Sequence, residues 1–356
     1  MKRICKRPVI IDKLVLCYEV AEPQQKAAEE EKEEWYGVPK AQPYAALCKL
    51  KYGEWLERNE IVLYRTEGRY HDYVYIIRYN DGEKQRDWGL LKFGINRGNE
   101  TANTHTNGSR KVWLELKNET LYRDDFYCIT YIEQLLGLHF HNITTLDLAL
   151  DTPFQLPKTV KRLFKDPKVT TILNGKVVID RNEDRTELRY GHSGSLNKLD
   201  KYQTVLVKQK NALHDKTRGV VVTIYDKAAE VQESNKHYIN EFYGNPRKLY
   251  RTEVHLNAAE VWEYVKNKEI DYTPLLVADR GILENMFFHF LNSVLRFRSA
   301  DKNRNVSWRY LLGRYGVTKK DIWWQGKPRH RKNSLKDLAK VQANRFKELT
   351  TEVSYI

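Results

Sequence analysis

Four segments between residues 144 and 256 constrain the fold more than anything else in the chain. Each alternates polar and apolar residues with the two-residue period of a β-strand, whose successive side chains face opposite sides. In "TTLDLALD", Leu146, Leu148 and Leu150 share one face, while Asp147, Ala149 and Asp151 share the other. "TELRYG" puts Glu187 with Arg189, opposite Leu188 and Tyr190. In "VVVTIYDK", Val220, Val222 and Ile224 oppose Thr223, Tyr225 and Lys227. "YRTEVHL" sets Arg251, Glu253 and His255 against Tyr250, Thr252, Val254 and Leu256. A solvent-facing sheet alternates in the same way. These second faces, however, carry acids, guanidinium groups and a tyrosine, with few of the Thr, Ser and Lys residues that fill an ordinary wet surface.

The rest of the pattern places this sheet in an α+β fold. "PVIIDKLVLCYEV" is β-rich, and "EIVLYR", "DYVYIIRYN" and "WGLLKFGIN" are apolar, aromatic runs separated by turn residues, which predicts an antiparallel meander. Between them "AEPQQKAAEEEKEEWYGVPK" is an acidic insertion flanked by prolines. "RDDFYCITYIEQLLGL" has helical spacing and stops at Gly137, a C-cap. "ADRGILENMFFHFLNSVLRF" and "SLKDLAKVQANRFKEL" also have helical spacing, and Ser334 with Asp337 resembles a capping box. The expectation is one large catalytic domain over residues 1–265, a mostly antiparallel sheet with flanking helices, followed by a basic, mainly helical region over 266–356.

At 356 residues and 41% apolar the chain can build a substantial core. No segment approaches the roughly 18 to 20 uninterrupted apolar residues of a membrane span, and the start lacks a small-residue cleavage site. Four cysteines, Cys5, Cys17, Cys48 and Cys128, have no C-x-x-C spacing. A reduced, cytoplasmic protein without a membrane partner is expected. The net charge is +14, and from Arg296 onward there are 16 Lys/Arg against 5 Asp/Glu, so +11 of it sits in the last sixth of the chain. Aromatic residues interleave with these cations, the mixture of phosphate partners and stacking surfaces that nucleic-acid binders use. The candidate DNA contacts are Arg296, Arg298, Arg304, Arg309, Arg314, Lys319, Lys320, Arg329 and Arg331, with Trp308, Trp323 and Trp324, and Arg189 from the sheet.

A tyrosine among carboxylates in a DNA-binding chain points to phosphodiester transesterification. A phenol with a pKa near ~10 is a poor nucleophile at neutral pH and needs a cation or metal beside it. Lys227 and Arg251 are positioned for the first role. Asp147, Glu187, Glu253 and Asp151 form an oxygen set suited to a hard divalent ion, Mg²⁺ or Mn²⁺. Tyr225 is the candidate nucleophile. Tyr190 and Tyr250 fall on the core parity, while Tyr238 and Tyr243, in "NKHYINEFYGNPRK", compete with it. His139-Phe140-His141 is a second candidate metal site, since both imidazoles share one strand face.

At these residues the chain resembles the plasmid replication initiators of the "Rep_trans" type and the related relaxases of integrative conjugative elements. That family shows an "iDW"-like strand, a "TRxDlAiD" strand, a "YxGSxxS"-like turn, a "Y-D/E-K-xxE" strand and a "RyElel" strand. Here "IIDKLVL", "TTLDLALD", "RYGHSGS", "IYDKAAE" and "YRTEVHL" follow in the same order, over roughly residues 10 to 260. Thr145 stands where the family often has arginine, Lys13 replaces the tryptophan, and about twenty residues widen the gap before the tyrosine strand. The resemblance implies a replication-initiator/relaxase-like fold and metal-dependent nicking of an origin through Tyr225, leaving a 5′-phosphotyrosyl link and a free 3′-hydroxyl. Double- and single-stranded origin DNA, a host helicase and a second copy of the chain are the partners expected. A conjugative relaxase with the same chemistry and a non-catalytic replicon DNA-binding protein are the alternatives. The second must explain why Asp147, Asp151, Glu187 and Glu253, which repel phosphate, share one face.

Overall fold

Strands form wherever the sequence alternates aliphatic and polar residues. The computed structural model describes residues 8–20, 44–80, 82, 85–95, 111–123, 126–178, 188–190 (backbone), 204–208, 219–301 and 303–313. Its strands are β1 (Ile10–Val20), β2 (Trp55–Arg58), β3 (Ile61–Thr66), β4 (His71–Asn80), β5 (Gln85–Ile95), β6 (Lys111–Leu116), β7 (Leu138–Thr152), β8 (Val169–Leu173), β9 (Lys176–Val177), β10 (Leu188–Tyr190), β11 (Val205–Lys208), β12 (Val221–Asp226), β13 (Tyr250–Asn257) and β14 (Leu295–Ser299). Eleven of them pair antiparallel in the order β10-β11-β12-β13-β7-β1-β6-β5-β4-β3-β2, and β14-β8-β9 make a small second sheet. The fold is therefore α+β with one large antiparallel sheet, and β3-β4-β5 are the expected meander.

Helices cover both faces of this sheet. They are α1 (Tyr44–Lys49), α2 (Asn118–Tyr122), α3 (Tyr127–Leu136), α4 (Leu156–Lys165), α5 (Lys227–Ser234), α6 (His237–Phe242), α7 (Ala258–Asn267), α8 (Arg280–Val294) and α9 (Trp308–Leu311). Gly137 ends α3 at φ 60°, a left-handed conformation that glycine adopts without steric cost. The aliphatic parity of β7, β12 and β13 (Leu146, Leu148, Val222, Ile224, Val254) joins the main core, shared with α3, α4, α7 and α8. A second, smaller cluster lies on the opposite face, where Ile10, Tyr122, Ala149, Val231, Ile239 and Leu249 meet under α2, α5 and α6.

One expectation changes at the C-terminal side. The apolar run after residue 280 is not helical throughout, because α8 stops at Val294 and Leu295–Ser299 continues as β14 against β8. From Leu295 the period shortens to two, with Leu295 and Phe297 buried and Arg296 and Arg298 outward, and that alternation favours a strand. The core also runs across the expected boundary at residue 265. Leu276, Leu283, Phe287, Phe297, Val306, Trp308 and Leu312 belong to the same cluster as the sheet's inner face. Residues 314–356, with "SLKDLAKVQANRFKEL", lie outside the described residues.

Candidate active site

The strand register stacks the polar parity of three strands into rows. Tyr225 of β12 lies opposite Arg251 of β13, which lies opposite Asp151 of β7. Thr223, Glu253 and Ala149 form the next row, then Val221, His255 and Asp147. Residues 100 positions apart in sequence thereby share one face.

Arg251 anchors this face. Its side chain has no exposed surface, and it grips Asp151 with two hydrogen bonds, Nε to Oδ1 at 2.8 Å and Nη2 to Oδ2 at 2.6 Å. It also donates to the Asp12 carboxylate and to the Tyr122 hydroxyl. Asp12 reaches the site because the β1-β7 register slips between Ile11 and Lys13, leaving Asp12 as the extra residue of a bulge. Bulges re-aim a side chain in this way. Asn118 Nδ2 donates to Asp12 Oδ1 at 2.9 Å, and the Tyr238 hydroxyl donates to Asn118 Oδ1 at 2.6 Å, so α2 and α6 fix the bulge. Burial works to raise the Asp12 carboxyl, but the charges of Arg251 and Lys227 and these hydrogen bonds hold it well below the usual carboxylate range. Removing one partner from such a buried pair costs about 3–5 kcal/mol.

Tyr225 stands beside this anchor. Its hydroxyl donates to Glu253 Oε2 at 3.2 Å, and Lys227 Nζ donates to that hydroxyl at 3.5 Å. Lys227 does not extend the strand as its parity suggested. It opens α5, where Asp226 caps the helix by accepting the Ala229 N–H, and its buried ammonium pairs with Glu230 at 2.6 Å. Burial lowers the Lys227 pKa, with the positive Arg251 next, against Asp12 and Glu230. Burial, and then the charge of Glu253, push the Tyr225 phenol well above its ordinary value, outweighing Arg251. Of the two cations expected beside the phenol, Arg251 is paired with Asp12 and Asp151, and Lys227, paired with Glu230, lies 3.5 Å from the Tyr225 hydroxyl. Burial, with Asp12 and Asp147, also pushes Glu253 up to about 7. A carboxyl with that pKa, in contact with the phenol, is suited to take its proton near neutral pH.

The other expected residues divide. Asp147 is nearly buried, and its Oδ1 meets His255 Nδ1 at 2.5 Å; that hydrogen bond raises the imidazole. Asp151 accepts a hydrogen bond from Arg251 on each of its oxygens, which makes it the partner of that guanidinium. Among the described residues no three His, Cys, Asp or Glu side chains are arranged to hold a metal ion. Glu187 lies outside them, and Arg189 is placed only by its backbone, opposite Leu206, itself opposite Thr223. His139 and His141 sit near the far end of β7. Glu19 faces His139 and approaches His141, which also contacts Lys111. Twelve residues separate His139 from Asp151, some 40 Å at about 3.3 Å per residue, so the pair shares no site with Tyr225. Tyr250 is buried as its parity required, and Tyr243 caps α6 beside the smaller cluster.

Of the DNA-contact candidates, Trp308 is a core residue whose indole N–H donates to the Leu295 carbonyl at 2.8 Å, and it offers no stacking surface. Arg309 bonds to Glu284 and lies over the Phe288 ring at 4.1 Å. Arg298 donates to Asn303 at 3.2 Å, Arg296 is half-buried and Arg304 is exposed. Arg314, Lys319, Lys320, Trp323, Trp324, Arg329 and Arg331 lie outside the described residues. Sequence reasoning gave no role to Asp12, Tyr122, Asn118 or Glu230. The available signal was a lone aspartate inside the aliphatic "VIIDKLVL".

No family model and no curated protein matches this chain. Among solved structures it is similar to that of a rolling circle replication initiator protein from Geobacillus stearothermophilus, at 13% identity and a TM-score of 0.40. That similarity covers 86% of this chain and 96% of the other.

Proposed function

We propose that this chain nicks DNA by tyrosine-mediated transesterification, as a rolling-circle replication initiator does. The observation that carries the reading is Tyr225, its hydroxyl between the carboxylate of Glu253 and the ammonium of Lys227 on a sheet face locked by Arg251. Glu253 takes the phenolic proton as the Tyr225 oxygen attacks phosphorus. The P–O3′ bond breaks, its electron pair leaves with the 3′ oxygen, and that oxygen takes a proton from solvent. The products are a phosphotyrosyl 5′ end and a 3′-hydroxyl. Lys227, 3.5 Å from the hydroxyl, stabilises negative charge on the oxygen as it develops.

Asp147 lies close enough to Glu253 to raise its carboxyl, and these two carboxylates make a partial oxygen set for a hard divalent ion, with no third donor among the described residues. Asp147 and Glu253, with Glu187, are the residues that would hold it, and its chemistry would be to polarise the scissile phosphate. The test is incubation with supercoiled DNA carrying the sequence around the protein's own coding region, with Mg²⁺ or Mn²⁺. Open circles bearing attached protein, lost on chelation, are expected; open circles free of protein, or intact supercoils with either ion, contradict the reading.

A further inference from the structure

A second polar depression lies on the other side of α2. It is a cleft of about 710 Å³ lined by Arg78 and Arg86 from the β4-β5 hairpin and by Lys117, Glu119 and Arg123 around α2, with Asp87 at its wall. Among the described residues, four cations thus face two carboxylates. Asp87 is shared by Arg78 at 2.7 Å and Lys117 at 2.6 Å, and Glu119 holds Arg123 at 2.5 Å. Arg86 has no acidic partner among the described residues. The wall is built in, since the Thr120 hydroxyl donates to the Trp88 carbonyl at 3.1 Å and the Lys117 N–H to the same carbonyl at 2.8 Å. An excess of positive charge in a concave site concentrates anions. The cleft also shares α2 with the active face. Asn118, bonded to Asp12, and Lys117, lining the cleft, are consecutive residues.

We infer that this cleft binds the phosphate backbone of a single DNA strand leading to Tyr225, with Arg86 and Arg123 as principal phosphate partners. This rests on the nicking function proposed above. The several cations suit a chain of phosphates rather than one anion, and the cleft shares α2 with the face that carries Tyr225. Asp87 and Glu119 orient Arg78, Lys117 and Arg123 in the absence of DNA.

The experiment uses full-length Tyr225→Phe protein, so that no cleavage competes, and a fluorescent single-stranded oligonucleotide read by anisotropy across a salt series. Adding Arg86→Ala and Arg123→Ala removes two phosphate partners. Affinity is expected to fall at least ~10-fold, and the slope of log K against log salt to flatten by about 1.4, at roughly 0.7 per phosphate on single strands. The control adds Arg162→Ala and Lys165→Ala on α4 instead, removing the same charge elsewhere, and should match the parent. Unchanged affinity and slope in the cleft variant, or an equal loss in the control, overturn the inference. A parent that binds no single-stranded DNA sinks the underlying nicking function as well, whereas a parent that binds beside an unaffected cleft variant removes only the cleft.

Discussion

Glu253 links the stability of this protein to its chemistry. Its carboxyl is pushed up to about 7, chiefly by burial and then by Asp12, so between the unfolded value and that pH the folded chain holds a proton that the unfolded chain has lost. Stability from this group is therefore present below the unfolded pKa and declines as pH rises toward 7. His255, raised by its bond to Asp147, acts in the same direction. Replacing Glu253 with Gln keeps the shape and the acceptor for Tyr225 while removing the charge. Urea unfolding at pH 8 should show Glu253→Gln more stable than the wild type by on the order of 2 kcal/mol, with the difference shrinking toward pH 5. The same variant should cut DNA at least ~10²-fold more slowly. Equal stability at both pH values would show that the carboxyl is not strained. Arg251 predicts the opposite balance. Arg251→Lys loses the two-pronged grip on Asp151 and should destabilise the chain by about 3 kcal/mol at neutral pH, measured by the same titration.

At the scale of elements, the parity of the segments that became β7, β12 and β13 anticipated which of their strand side chains share a face, because the aliphatic half of each strand enters the core. Tyr225, Arg251, Glu253 and Asp147 could be grouped on that ground alone. The Asp12 bulge could not, since its place depends on the register of β1 against β7, more than 130 residues away in sequence. The run after residue 280 misled for a related reason. Apolar residues at positions 283, 286, 287, 290, 291 and 294 keep a helical period, and only pairing with β8 turns Leu295 to Ser299 into a strand. Trp308 looked like a stacking surface because the cations around it are visible in sequence and the space it fills between α8 and β14 is not. Trp308→Ala should leave a cavity and cost about 3–5 kcal/mol in chemical denaturation. A loss confined to DNA affinity, with unchanged stability, would return Trp308 to the interface.

At the scale of the whole molecule, the main core includes residues as late as Leu312, and the sequence that follows is strongly basic. Val306, Trp308 and Leu312 pack with the sheet, so a chain ending at residue 298 strips its own core, while one ending at 313 keeps it. The shorter chain should melt well below the longer one. The longer chain should retain the sheet's chemistry on a single-stranded substrate and bind duplex DNA with a flatter salt dependence, having lost the cations from Arg314 onward. An unchanged salt slope in the 313-residue chain would remove the basic stretch from duplex binding. The proposed chemistry depends on Tyr225 as the nucleophile, and the most direct measurement traps the reaction. Wild-type protein and Tyr225→Phe are each incubated with cleavable DNA and divalent ion, denatured, and digested so that the nucleotide-bearing peptide can be sequenced by mass spectrometry. The account predicts one adduct, on Tyr225, in the wild type and none in the variant. An adduct on Tyr238 or Tyr243, or one that survives in Tyr225→Phe, contradicts it.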